Sequence, residues 1–222
     1  MPVLRLTRAL VFPPVELAEL PGVLAVGGDL SVERLWLAYR SGVFPWPERG
    51  QPLTWWAPDP RFVLFPERLR VSQSMRRVLK SGRFEVTYDR DFRAVMANCA
   101  AVRRRGQRGT WITPAMIEGY CRLHEAGHAH SVEVWEGGAL VGGLYGVRVG
   151  RVFTGESLFA RVSNASKVGF IRFVEKAARE GVALIDCEVP TGHLASLGAE
   201  EMPRDAFMRI LTGPADAPGG GV

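Results

Sequence analysis

The sequence predicts an α+β protein: a small N-terminal domain over residues 1–61, a larger domain over 62–212 and a disordered tail over 213–222. Three observations carry this. Residues 1–60 are crowded with Pro, Gly and Trp, as in Phe44-Pro45-Trp46-Pro47 and Trp55-Trp56-Ala57-Pro58-Asp59-Pro60, and hold one good helical stretch. Residues 130–158 alternate in three runs separated by Gly-containing turns, the pattern of an antiparallel meander. Helical and strand-like periods then continue to about residue 211, after which Gly, Pro and Ala take over.

The elements follow in order. Ser31 is a good N-cap for a helix running to Arg40 and closed at Gly42, and the rest of the N-terminal domain reads as loops wrapped around it. A strand over 62–65 precedes a helix over 72–81, stopped by Gly82, with Arg76, Arg77 and Lys80 on one side. Residues 84–88 alternate as a strand and 91–101 read as a helix. The following loop, with Arg103, Arg104 and Arg105, is basic and rich in Gly. Thr113-Pro114 supplies cap and first-turn signals for a helix to Gly127. The meander occupies 130–135, 140–147 and 151–158. Asn164 opens a helix that ends near Gly181, a strand spans 182–189, and a short helix covers 204–211.

Charge is distributed unevenly. The 222 residues carry a formal charge of +5, yet 61–110 hold thirteen Lys or Arg against four Asp or Glu. Such a stretch suits a polyanion, and a solvated charged surface has the same composition. Arg outnumbers Lys 25 to 3, which fits bidentate phosphate contact and fits a GC-rich coding bias equally. Cys99, Cys121 and Cys187 are odd in number and widely spaced, so reduced thiols are expected rather than a disulfide framework. No run approaches the roughly 18 apolar residues of a membrane span, and the first ten residues lack a signal-peptide core. A cytoplasmic protein is expected.

His124-Glu125-Ala126-Gly127-His128 matches the zinc-protease spacing letter for letter. Gly127 nevertheless reads as a helix stop, which would put His128 beyond the last turn, and no third ligand motif follows. No metal is expected. The more informative pattern is Ile185-Asp186-Cys187-Glu188: in a strand, Asp186 and Glu188 would share one face in otherwise apolar surroundings. Paired acids there are costly unless used or neutralised. They point to acid–base work with a raised pKa, or to a structural salt bridge with Arg or Lys167. A Ser157–His193–Asp186 triad is a further reading, though no nucleophile elbow surrounds the serine. Phe153, Phe170, Phe173, Leu144 and Ile185 read as core or as the wall of an apolar pocket. Trp46, Trp55, Trp56 and Trp111 read as hydrophobic plugs or as surfaces that stack a base.

Taken together in order, the segments resemble the leucyl/phenylalanyl-tRNA–protein transferase family of bacteria. The segments include Gly27-Gly28-Asp29-Leu30-Ser31, Ala38-Tyr39-Arg40, Thr110-Trp111-Ile112-Thr113, His130-Ser131-Val132-Glu133, Phe153-Thr154-Gly155-Glu156-Ser157, Asn164-Ala165-Ser166-Lys167 and Leu184-Ile185-Asp186-Cys187. The resemblance implies that residues 62–212 form an acetyltransferase-like (GNAT) domain with a mixed, largely antiparallel sheet. It implies transfer of Leu or Phe from charged tRNA to proteins with an N-terminal Arg or Lys, marking them for degradation by the N-degron route. Aminoacyl-tRNA is then a substrate, and no cofactor, metal or membrane is implied. Leu144, Phe153, Phe173 and Ile185 match the pocket for the transferred side chain, and Trp46 and Trp111 match positions that hold the 3′-terminal adenosine. Glu156 and Asp186 match acids that receive the acceptor's N-terminus. Asp186 is assigned to orient and help deprotonate the amine, directly or through its neighbour, with Glu156 holding the amine or the basic side chain; assistance by the tRNA ribose hydroxyl is equally compatible with the sequence. The family usually has Gln at position 188, where this chain has Glu188, a base or a source of negative potential. Arg61, Arg76, Arg77, Lys80, Arg83, Arg103, Arg104 and Arg105 are expected on the tRNA backbone. A non-catalytic RNA-binding protein and a zinc peptidase are the alternatives.

Overall fold

The computed structural model describes residues 3–47, 51–102 and 110–213. The expected basic loop with Arg103, Arg104 and Arg105, and the expected tail beyond Gly213, lie outside the described residues.

The chain forms β1 (Leu4–Leu6), β2 (Val23–Gly27), α1 (Val32–Arg40), β3 (Phe44–Pro45), β4 (Thr54–Trp56), β5 (Arg61–Leu64), α2 (Gln73–Lys80), β6 (Glu85–Tyr88), α3 (Phe92–Ala101) and α4 (Pro114–Glu125). It continues with β7 (Ala129–Glu136), β8 (Ala139–Val149), β9 (Val152–Ala160), α5 (Ala165–Arg179), β10 (Leu184–Asp186), α6 (Gly192–Ser196), β11 (Glu200–Met202) and α7 (Arg204–Thr212). Among the described residues no helix is long and apolar enough to cross a membrane.

Helix starts follow their caps. The side chains of Ser31, Ser72, Asp91 and Thr113 accept from the amides of Arg34, Met75, Ala94 and Met116, satisfying donors that a first turn leaves open. Asn164, before α5, instead takes a left-handed conformation at φ 71° and makes no side-chain cap.

A seven-stranded sheet runs β11-β5-β10-β9-β8-β7-β6, with β9 and β10 parallel and the other pairs antiparallel. Alternation along β8 gives the sheet two covered faces: Tyr145 and Val147 pack with α3 and α4, while Leu144 packs with Val168, Ile171 and Val174 of α5. The fold class is therefore the mixed α+β arrangement expected.

Two parts differ from expectation. The N-terminal stretch is not a set of loops around a helix but carries a second sheet, ordered β1-β2-β4-β3. Its strands have two to five residues and are flanked by Pro and Gly, too short for an alternating pattern to register. The expected strand over 182–189 is only β10, three residues long, because Glu188 takes the left-handed conformation at φ 59° and breaks the extended run. The short helix α6 was not foreseen.

Candidate active site

The site lies where the pairing of the two parallel strands ends. β9 and β10 pair as far as Thr154 and Asp186. One residue later, β9 bulges: Tyr145 faces Ser157 and Gly146 faces Gly155, leaving Glu156 as the extra residue. Bulges bend a strand and re-aim a side chain, which here turns Glu156 into the interior. Gly146 is needed opposite, since a Cβ there would come within 2.2 Å of the Thr154 carbonyl oxygen and 2.5 Å of the Phe153 ring. On the other strand, the Glu188 turn ends the ladder. Where the two strands part, a cavity of about 470 Å³ opens, a volume typical of small-molecule sites.

Leu144, Phe153, Phe170, Phe173 and Ile185 form its apolar wall, the Phe153 and Phe173 rings packing at 4.3 Å between centroids. Trp46 and Trp111 also line it, and both remain partly exposed. The Trp46 carbonyl accepts from Trp56 Nε1 at 3.2 Å, and the two rings lie tilted 5.5 Å apart. Trp55 is fully buried, donating to the Gly27 carbonyl at 2.8 Å, and so serves as core.

Glu156, Asp186 and Glu188 meet in the same cavity. Glu156 accepts from Tyr39 Oη at 2.5 Å and from Tyr120 Oη at 3.0 Å, and the two phenol oxygens touch one another. Burial pushes the Glu156 carboxyl up to about 7, against the pull of these hydrogen bonds. Asp186 is fully buried; its Oδ2 meets the Arg61 guanidinium and its Oδ1 accepts the Glu188 amide at 3.1 Å. Burial, with Glu156 and Asp186 nearby, raises the Glu188 carboxyl well above the ordinary range. The proximity expected of Asp186 and Glu188 is thus present, but it arises from a turn rather than from strand alternation.

Arg61 requires a correction. Expected on the tRNA backbone, it is only 1% exposed, paired with Asp186, donating to the Gly42 carbonyl at 3.0 Å and stacked against Phe44 and Phe207. A guanidinium so enclosed has no face left for a phosphate. The same pair supplies the structural salt bridge considered for Asp186.

Arg76, Arg77 and Lys80 are exposed on α2, without an ion-pair partner among the described residues. Arg83 is also exposed but pairs with Glu136 at 2.6 Å. The zinc-protease spacing dissolves into packing: the His124 ring stacks on Phe92 and the His128 ring on Trp36, His128 lying past the end of α4. Likewise, the Ser131-Val132-Glu133 segment serves the fold, since buried Glu133 accepts from Ser131 Oγ, Thr87 Oγ1 and the Asp91 amide.

The residues that sequence reasoning missed are Tyr39 and Tyr120. Tyr39 stood inside a quoted segment, but nothing local says that a tyrosine on α1 will reach an acid 117 residues away.

An apolar wall and acids thus line one cavity, and the relatives show the class of protein to be a transferase. Relatives make the class specific. The model of the leucyl/phenylalanyl-tRNA protein transferase family matches residues 63–212, and that of its N-terminal domain matches 28–59. The leucyl/phenylalanyl-tRNA–protein transferase of Syntrophobacter fumaroxidans is 56% identical over 211 residues, spanning 95% of this chain and 90% of that protein. That of Azotobacter vinelandii is 56% identical over 212 residues, 95% and 93% of the two chains. The chain belongs to the leucyl/phenylalanyl-tRNA–protein transferase family. A solved GCN5-related N-acetyltransferase from Kribbella flavida overlaps at a TM-score of 0.42 with 12% identity, covering 76% of this chain and 59% of that one.

Proposed function

We propose that this transferase moves Leu or Phe from charged tRNA onto the α-amine of proteins that begin with Arg or Lys, in the cytoplasm, marking them for degradation. The reading rests on one juxtaposition above all: an apolar wall and three acids lining one cavity. Leu144, Phe153, Phe173 and Ile185 take the transferred side chain, and Trp46 and Trp111 flank the terminal adenosine. Arg76, Arg77, Lys80 and Arg83, with Arg103, Arg104 and Arg105, contact tRNA phosphates. The aminoacyl ester is already activated, so the protein's task is to hold the amine against the carbonyl carbon, where proximity alone accelerates greatly. An α-amine of pKa about 7.7–8.0 needs only a modest base, which the buried acids provide.

The test is transfer of labelled Leu or Phe from tRNA to peptides beginning with Arg, Lys, Asp or Glu, with chelator present. Label is expected on the Arg and Lys peptides. Label on acidic peptides alone would overturn the acceptor assignment. Bound tRNA without any transfer would favour a binding protein.

A further inference from the structure

Three acids and a guanidinium gather where the pairing of β9 and β10 stops, and they are not equivalent. Asp186 is satisfied, with one oxygen on Arg61 and the other on the Glu188 amide. That second bond pins Glu188 at φ 59°, a conformation a glutamate rarely adopts, so Asp186 and Arg61 act as positioning residues. The pinned turn sets the Glu188 carboxyl in the same cavity as Glu156, where each carboxyl affects the ionisation of the other. Two buried carboxyl groups this close do not both ionise.

Their surroundings decide which one keeps the proton. Glu156 receives two phenolic donors, at 2.5 and 3.0 Å, as an anion should. Glu188 Oε1 is covered and meets no hydrogen-bond partner among the described residues. An anion left so is costly, whereas a carboxylic acid donating to Glu156 satisfies both groups.

We propose that Glu188 keeps its proton and donates it to Glu156, so that the two carboxyl groups work as one monoanionic pair that receives the acceptor's α-ammonium and takes its proton. The catalytic part rests on the transfer reading above. The pair's anionic oxygen takes one ammonium proton. The freed nitrogen bonds to the ester carbonyl carbon, and the carbon–oxygen bond to the ribose breaks with its electron pair on the ribose oxygen. A second N–H proton passes to that oxygen, and the pair returns its extra proton to water.

The groups facing the pair agree with this state. Tyr39 from α1 and Tyr120 from α4 have their ionisation raised by burial and by Glu156, and so remain donors; Tyr145 of β8 stands beside Tyr120. Burial also raises the Cys187 thiol, which stays neutral. Arg61 and Asp186 neutralise one another, and His193 of α6, lowered by burial and by Lys167 of α5, lines the same cavity.

Infrared spectroscopy of the full chain near pH 8 reads the pair directly, since ordinary carboxyl groups, with pKa values of about 4, are ionised there. The carbonyl stretch of a protonated acid is expected in the wild-type protein and absent from Glu188→Gln; should that variant not fold, the wild-type band alone decides. In parallel, the rate of transfer to an Arg peptide is followed against pH. The wild-type rate is expected to fall below about pH 7 as the pair takes a second proton, and Glu156→Gln to be roughly a hundredfold slower with its acid limb moved up to about 7.7–8.0, the pKa of the acceptor amine itself. A wild-type spectrum without the acid band overturns the proposal, as does an acid limb that stays at about pH 7 in Glu156→Gln. A band without any wild-type transfer, from either tRNA to any peptide, overturns the functional reading and the pair's catalytic role with it.

Discussion

Arg61 and Asp186 bury opposite charges against one another, and each is tolerable only because of the other. Arg61→Ala would leave Asp186 charged, buried and unpaired, and is expected to cost roughly 3–5 kcal/mol of stability. Urea denaturation measures this, and a loss below about 1 kcal/mol would mean that Asp186 has another partner. Glu156 has a distinct signature. Its folded carboxyl binds a proton up to about pH 7, whereas an unperturbed one releases it near 4.5. Its contribution is therefore present at low pH and lost as pH rises through about 7. Glu156→Gln should gain on the wild type in melting temperature, by a few degrees, as pH goes from about 5 to about 8. A difference that does not change with pH would refute this account.

At the scale of elements, α2 is the clearest tRNA-facing candidate, because Arg76, Arg77 and Lys80 project from one side and Met75 anchors the other in the core. Reversing all three to Glu should leave the melting temperature nearly unchanged, since the side chains are exposed. It should weaken tRNA binding and lower the slope of log affinity against log salt by about two to three, one counterion per lost phosphate contact. An unchanged slope would place the tRNA on another face. The helices here were legible because capping residues and Gly stops act within one turn. The Glu156 bulge and the Glu188 turn were not, since a strand's alternation says nothing about where its partner runs out or where an amide is captured by Asp186.

At the scale of the molecule, the two sheets share a core. Leu24, Leu35, Phe44 and Trp55 of the N-terminal part pack in one continuous cluster with Met96, Tyr120, Tyr145 and Phe159. The site is likewise composite: Tyr39 and Arg61 come from residues 1–61 and meet Glu156 and Asp186. The chain is therefore expected to unfold in a single transition, and residues 62–222 alone to expose apolar surface and lose the site. Two calorimetric transitions, or a soluble and cooperatively folded fragment, would contradict this.

The sequence by itself determined the helices other than α6, with the caps of α1 to α4, the meander, the mixed α+β class and, through an ordered set of segments, the family. It also brought forward Glu156, Asp186 and Glu188 as the acids to watch. Only the tertiary structure decided that Arg61 is a buried counterion rather than a phosphate ligand, that Tyr39 and Tyr120 hold Glu156, and that a left-handed turn aims Glu188. Caps and periodicities are written within a few neighbouring residues, where each side chain competes only with its own backbone. Burial and pairing depend on which surfaces meet after folding, here between residues more than 100 positions apart.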